Sequence, residues 1–272
     1  MISELHQRLA ELNRGWREPV PGRLPTSFGS GRTLAEVLEG YELTNHHGAF
    51  FGREDRLGEL YSDGEVLVAS LLEGMGSLPQ NEVDRELVPL GTVEPQRVAL
   101  VDLETTGLHG RPLFLVGTMC LEEGELVVRQ YFARDYSEER PLLCHVAESL
   151  AQAQVLVTFN GRSFDVPYLQ DRMTYHRLAC PRDFAQVDLL HPCRRRWRRR
   201  LPNCRLQTLE RYLCRRVRAG DIPGCLIPQR YHEYVHTGDP RLVGPIFHHN
   251  RLDLVAMAEL LVALMARPRE GE

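Results

Sequence analysis

The sequence predicts an α/β fold, a mixed sheet flanked by helices, on three observations. Three apolar runs, Val98–Leu103, Leu113–Leu121 and Leu126–Ala133, follow closely on one another, the second and third joined by a tight EEGE connection. A helical stretch from about Ser137 to Ala153 and a fully apolar run, Val155–Phe159, come next, giving the order β-β-β-α-β. An amphipathic helix from about Arg251 to Ala266 follows later, with Leu252, Val255, Leu260 and Leu264 on its inward side.

Taken in order, residues 1–95 read as a small N-terminal accessory region of unassigned role. They offer a helix over Ser3–Asn13, a turn-rich link through Pro19, Pro21 and Pro25, and short strands around Tyr41–Phe51. His46 and His47, adjacent on such a strand, would point to opposite faces, which favours surface or packing roles over a metal site. Residues 96–268 form the second region. Its first three strands are so closely joined that an antiparallel meander is expected. Asp135 and Glu138 are spaced as a capping box ahead of the helix that follows. Pro167 is tolerable only in a first turn, so a helix runs from Val166 to Leu178, and Gln186–Leu190 adds a short strand.

Composition narrows the chemistry. With 272 residues and 43% apolar content, a sizeable core is available. The net charge of −4 hides an asymmetry: Met1 to Pro95 carries 8 Arg against 16 acids, and the remainder 25 Arg against 21 acids. The basic surplus of the second part makes an anionic polymer a plausible partner. All 33 basic residues are Arg. Without lysine, Walker-A phosphate loops, pyridoxal-phosphate Schiff bases and Ser-Lys hydrolases are excluded. The seven Cys are odd in number and form no Cys-x-x-Cys pair, so reduced structural thiols are expected. No signal peptide or membrane-length apolar run is visible, so no membrane partner is expected and the cytoplasm is the default location.

The chemistry concentrates in VALVDLETTG. Asp102 and Glu104 stand two apart at the end of an apolar strand, so they share a face about 6.5 Å apart along the chain. Two metal ions roughly 3.5 to 4 Å apart would justify such a pair. Asp165 follows the fourth strand in VTFNGRSFDVPYL, and Asp253 opens the last helix in FHHNRLDL. Each of these two, alone, is explained as a helix-start acid stabilised by the dipole. Together with Asp102 and Glu104 they would surround two hard cations at one sheet edge.

DLETTG, FNGRSFD and HHNRLD, in that order, resemble the three exonuclease motifs of the DEDD superfamily on an RNase H-like fold, and more narrowly the YprB-type RNase H-like domain family. The resemblance covers about residues 96–266. It implies a 3′–5′ exonuclease that hydrolyses phosphodiester bonds of single-stranded DNA or RNA by a two-metal mechanism, using two Mg²⁺ or Mn²⁺ ions. Asp102, Glu104, Asp165 and Asp253 would be the ligands, with Thr105, Thr106 and Asn160 beside the nucleic acid. A histidine before the last Asp would act as base. His248 has the spacing of one subclass, whereas His249 holds the position of the other and, at i−4 in a regular helix, shares the face of Asp253. Both remain candidates.

In CRRRWRRR, six arginines from Arg194 to Arg200 surround Trp197. Arg194, Arg195 and Arg198 would neutralise phosphates and Trp197 would stack on a base, against the alternative of a solvated, ion-paired helix face. Asp188 is expected to cap that helix rather than to serve as an accessory ligand. Two other functions compete: a catalytically inert RNase H-like module that binds nucleic acid or a partner, and a HAD-type phosphatase with Asp102 as nucleophile. The second is weakened by Glu at position 104 and by the absence of lysine.

Overall fold

The structure, a computed structural model, describes residues 33–78, 84–108, 110–180 and 184–266. The helix expected over Ser3–Asn13 lies outside them. The described chain starts with α1 (Leu34–Leu38), closed by a capping box in which Thr33 and Glu36 exchange side-chain-to-backbone hydrogen bonds. Strands β1 (Tyr41–Asn45) and β2 (Gly48–Arg56) form a hairpin, and α2 (Leu57–Leu60) and α3 (Gly64–Gly76) follow. Next come β3 (Val98–Thr105), β4 (Leu113–Glu122), β5 (Glu125–Phe132), α4 (Glu139–Leu150) and β6 (Val155–Thr158). The chain continues through α5 (Asp165–Tyr175), β7 (Ala185–Asp188), α6 (Leu190–Trp197), α7 (Leu206–Leu209), α8 (Ile227–Thr237) and α9 (Gly244–Met265).

Seven strands make one mixed sheet in the order β1-β2-β5-β4-β3-β6-β7. The meander β3-β4-β5 is antiparallel as expected, while β6 and β7 add to β3 in parallel. The hairpin β1–β2, which precedes Pro95, pairs with β5 and shares this sheet. Phe50 and Phe51, buried in the same core as Phe132, supply the reason.

Alternation along β3 sorts its side chains to two cores. Ala99, Val101 and Leu103 pack with Leu142, Leu143 and Val146 of α4 and Leu169 and Met173 of α5. Val98 and Leu100 pack with Leu254, Val255, Met257, Ala258 and Leu261 of α9. Asp102 and Glu104 continue the second face, so α9 runs toward them. Helices α4 and α5 are locked by Glu139, which is 2% exposed: it pairs with Arg172 through two contacts of 2.6 Å, meets His176 at 2.9 Å and accepts from Leu113 N–H at 2.8 Å. A buried carboxylate satisfied this fully holds α5, and so its first residue, in register with the sheet.

Helix α9 begins at Gly244, not near Arg251 as the sequence pattern predicts. Pro245 fits a first turn, and Ile246 and Phe247 are buried, so the helix starts about two turns early. The capping acids of α4 also act one residue away from the expected box: Asp135 accepts from Ser137 N–H, and Glu138 from Arg134 N–H.

Candidate acidic active site

The site begins on β3. Asp102 stands opposite Gly117 of β4, which stands opposite Gln130 of β5. A side chain at Gly117 would put its Cβ 2.1 Å from Asn250 Oδ1, so the glycine leaves room for α9 to press Asn250 onto the sheet. Asn250, fully buried, donates to Asp102 Oδ2 at 2.7 Å and to Asp102 O at 3.2 Å, and accepts from Gln130 Nε2 at 2.8 Å. This chain of buried hydrogen bonds fixes the Asp102 carboxylate.

Asp165 opens α5, where backbone N–H groups including that of Leu103 favour its charged form. Upstream, Asn160 adopts φ 65°, in the left-handed region, and Gly161 abuts Thr158, where a Cβ would lie 2.4 Å away. Both turns are clamped by Asp188, fully buried, whose carboxylate accepts from the N–H groups of Asn160, Arg162 and Leu190. Asp188 thus ties the start of α6 to the β6–α5 turn, close to the expected capping role.

Because α9 is regular from Gly244, His249 and Asp253 share a face, with Nε2 3.6 Å from Asp253 Oδ2. His248 instead meets Ala219 O at 3.1 Å and lies beside Arg251. His249 Nδ1 lies 2.7 Å from Asp221 Oδ1. Arg218 reaches Asp253 at 2.5 Å, Glu210 at 2.5 Å and Asp221 at 3.2 Å. Among the described residues, Asp253 Oδ1 is buried with no hydrogen-bond partner beyond this ion pair. Sequence reasoning missed Asp221, Arg218, Gln130 and Gly117; Asn250, which holds Asp102 in place, carried a signal only as the third residue of HHNRLD.

The four acids feel one another. Burial first, then Asp253, Glu104 and Asp165, push the Asp102 carboxyl well above the ordinary range. Burial pushes Glu104 up to about 8, with Asp253, Asp165 and Asp221 adding to the shift and His249 opposing it. Asp165 is raised to about 7 by burial, assisted by Asp188 and Asp253. Burial disfavours charge on His249, yet Asp221, Asp253 and Glu104 outweigh it and raise the imidazole to about 9. Asp102, Glu104 and Asp165 resist ionisation, and together with Asp253 they make an all-oxygen donor set suited to hard divalent cations.

The loop after β3 is pinned by its own side chains. Thr105 Oγ1 donates to Gly107 O at 3.0 Å, Thr106 Oγ1 to Pro112 O at 3.1 Å, and the Tyr168 hydroxyl lies within 2.9 Å of Gly107 O and 2.8 Å of Arg111 O. The arginine run divides. Arg194, Arg195, Arg198 and Arg199 are exposed, with Arg195 paired to Asp84 at 2.5 Å, while Arg196 donates to the α9 carbonyls Ala263 and Leu264 and to Ala266 O. Trp197 corrects the stacking expectation. It is 5% exposed within the α9-side core, because the helical period turns it inward between the outward arginines.

A family model, RNase_H_2 of the RNase H superfamily, matches residues 99–265. The uncharacterized protein YprB of Bacillus subtilis (strain 168) is 32% identical over 168 residues, which are 59% of this chain and 40% of that protein. The chain therefore spans less than half the length of this curated relative. A family B DNA polymerase structure from the hyperthermophilic archaeon Pyrobaculum calidifontis aligns at 17% identity and a TM-score of 0.47, over 60% of this chain and 24% of that one.

Proposed function

The chain belongs to the RNase H superfamily, and from that premise we propose that it is a divalent-metal-dependent 3′–5′ exonuclease acting on single-stranded DNA or RNA. The observation that carries this reading is that Asp102, Glu104 and Asp165 are each buried and raised first by that burial, with Asp253 among the further causes at each. Three separate chain segments bring these acids within electrostatic reach of one another.

Asp102, Glu104, Asp165 and Asp253 would hold two Mg²⁺ or Mn²⁺ ions, which when bound offset their charge, polarise the phosphodiester and acidify water. Asn250 and Gln130 keep Asp102 in one orientation. Asp221 engages His249 Nδ1, which leaves Nε2 as the nitrogen facing the acids. In the proposed reaction a water oxygen bonds to phosphorus in line with the departing 3′ oxygen. With bound cations offsetting the acids that raise it, His249 would present a neutral Nε2 that takes the proton of the attacking water, and no covalent intermediate forms. Of the two histidines, His249 fits this role. Thr105, Thr106 and Asn160 border the strand terminus, and the exposed Arg194, Arg195 and Arg198 meet its phosphates.

The test uses 5′-labelled single strands of DNA and RNA with Mg²⁺ or Mn²⁺. Stepwise shortening from the 3′ end, abolished by Asp102→Asn, is expected. Digestion that survives Asp102→Asn, or internal cleavage of strands blocked at the 3′ end, would overturn the reading. A second reading, a nucleic-acid-binding module that does not cut, is favoured by Arg218, whose guanidinium already compensates Asp253 within the fold. Oligonucleotide binding without turnover, and no uptake of ions by the acidic cluster, would select it. Membership of the RNase H superfamily sets the phosphatase alternative aside.

A further inference from the structure

His46 and His47 occupy the two turn positions of the β1–β2 hairpin, between paired residues Asn45 and Gly48. The alternation rule that sends neighbouring strand residues to opposite faces therefore does not govern them. Their ring centroids lie 3.8 Å apart. Asn45 fixes the turn on both sides: its Oδ1 accepts from His47 N–H at 2.9 Å, and its Nδ2 donates to Pro141 O on α4 at 2.8 Å. The hairpin tip is thus held over α4. There Cys144, a buried residue, places Sγ 3.7 Å from Glu148 Oε1 one turn further along.

A ring nitrogen of His46, one of His47 and Cys144 Sγ all lie within 4.8 Å of one another. We propose that His46, His47 and Cys144 form a second metal site, distinct in residues and donor chemistry from the acidic cluster, that takes a Zn²⁺-class ion with Glu148 as fourth donor. Tetrahedral zinc with Zn–N near 2.0 Å and Zn–S near 2.3 Å needs donors roughly 3.3 to 3.6 Å apart, so the His46, His47 and Cys144 donors close by up to about 1.5 Å and Glu148, outside that trio, swings in from its contact with Cys144. His46 is exposed, so rotation of its ring is unhindered by the core. Two imidazoles, a thiolate and a carboxylate match a borderline ion, whereas Mg²⁺ and Mn²⁺ prefer oxygen alone. On binding, the thiol proton passes to solvent and Sγ becomes the anionic donor. The ion would cross-link the hairpin, with its flanking sequence, to α4.

The experiment uses the full chain stripped of metal, then titrated with Co²⁺ as a spectroscopic probe and with Zn²⁺ against a chromophoric chelator. Expected are a thiolate-to-cobalt charge-transfer band discharged by Zn²⁺, and one tight Zn²⁺ equivalent. Cys144→Ser should abolish the band. His46→Ala, at an exposed position that leaves folding intact, should weaken Zn²⁺ at least about tenfold. Asp102→Asn should leave both readouts unchanged, which separates this site from the acidic cluster. A band that persists in Cys144→Ser, no band in the wild-type chain, or Zn²⁺ affinity indifferent to His46→Ala would overturn the proposal.

Discussion

Asn250 Nδ2 donates to Asp102 Oδ2 at 2.7 Å, joining α9 to strand β3 of the sheet through a fully buried amide. The contact exists because Gly117 has no side chain to hold α9 away. Gly117→Ala is therefore expected to destabilise the protein by about 1–3 kcal/mol, as overpacking does. It should also lower nuclease activity more than the loss of folded protein explains. Denaturant unfolding beside specific activity checks this; an alanine variant as stable as the parent would mean that α9 is not seated on Gly117.

Asn250→Ala makes a second prediction. It removes the acceptor for Gln130 Nε2 and the donor for Asp102 while opening space, so a loss of about 1–3 kcal/mol is expected. Gln130 Nε2 retains the Phe247 carbonyl at 2.8 Å, so the paired variant Gln130→Leu/Asn250→Ala should cost less than the sum of the single changes. A double-mutant cycle measures this, and strict additivity would count against a coupled pair.

Stability should depend on pH in a defined direction when divalent ions are chelated. Glu104 rises from 4.5 to about 8 and Asp165 from 3.8 to about 7 in the folded state. Between those limits the folded protein binds more protons than the unfolded chain, so stability falls as pH rises through about 7 and about 8. His249, raised from 6.5 to about 9, extends the decline further. Melting temperature in chelator should thus drop steadily over the neutral to alkaline range, and Glu104→Gln should be the more stable protein at about pH 8. Mg²⁺ or Mn²⁺ should raise the melting temperature most at high pH, where the carboxylates are ionised. A flat or rising profile in chelator would contradict the cluster described above.

Asp221 tunes His249. Asp221→Asn removes the charge that holds Nδ1 and should lower the imidazole pKa from its elevated position near about 9. If Nε2 takes a proton in turnover, the acidic limb of the activity profile should move to lower pH, while His249→Gln should remove that limb. A pH–rate series on all three proteins decides, and an unmoved limb in Asp221→Asn would assign the titration elsewhere.

The arginine run yields a test of its division. Reversing Arg194 and Arg198 to Glu should weaken oligonucleotide binding and flatten its dependence on salt. Trp197→Ala, by contrast, should act on the core and cost about 3–5 kcal/mol. Binding isotherms at several ionic strengths and a melting curve separate the two effects.

Much of this molecule was legible in one dimension. The strands of the meander, β6, the helix that follows them and the acidic motifs were set by local rules: alternation, helical period, proline position and the pairing of Asp102 with Glu104. Boundaries slipped where a local signal was overridden. Helix α9 starts at Gly244 because Ile246 and Phe247 find a core that no sequence window contains. His46 and His47 read as strand residues, and only the register of β1 with β2 makes them a turn.

The sequence by itself determined which groups are available: four motif acids, two neighbouring histidines, no lysine, and the order of strands and helices that carries them. Tertiary structure alone decided which of those groups meet. The helical phase of α9, set by burial from Gly244 onward, turns His249 rather than His248 toward Asp253 and inserts Asn250 over Gly117. Long-range packing likewise buried Trp197 and delivered Arg218 and Asp221 to the cluster. Side-chain identity is a local property, whereas proximity is paid for by the whole core, and so only the folded chain could specify it.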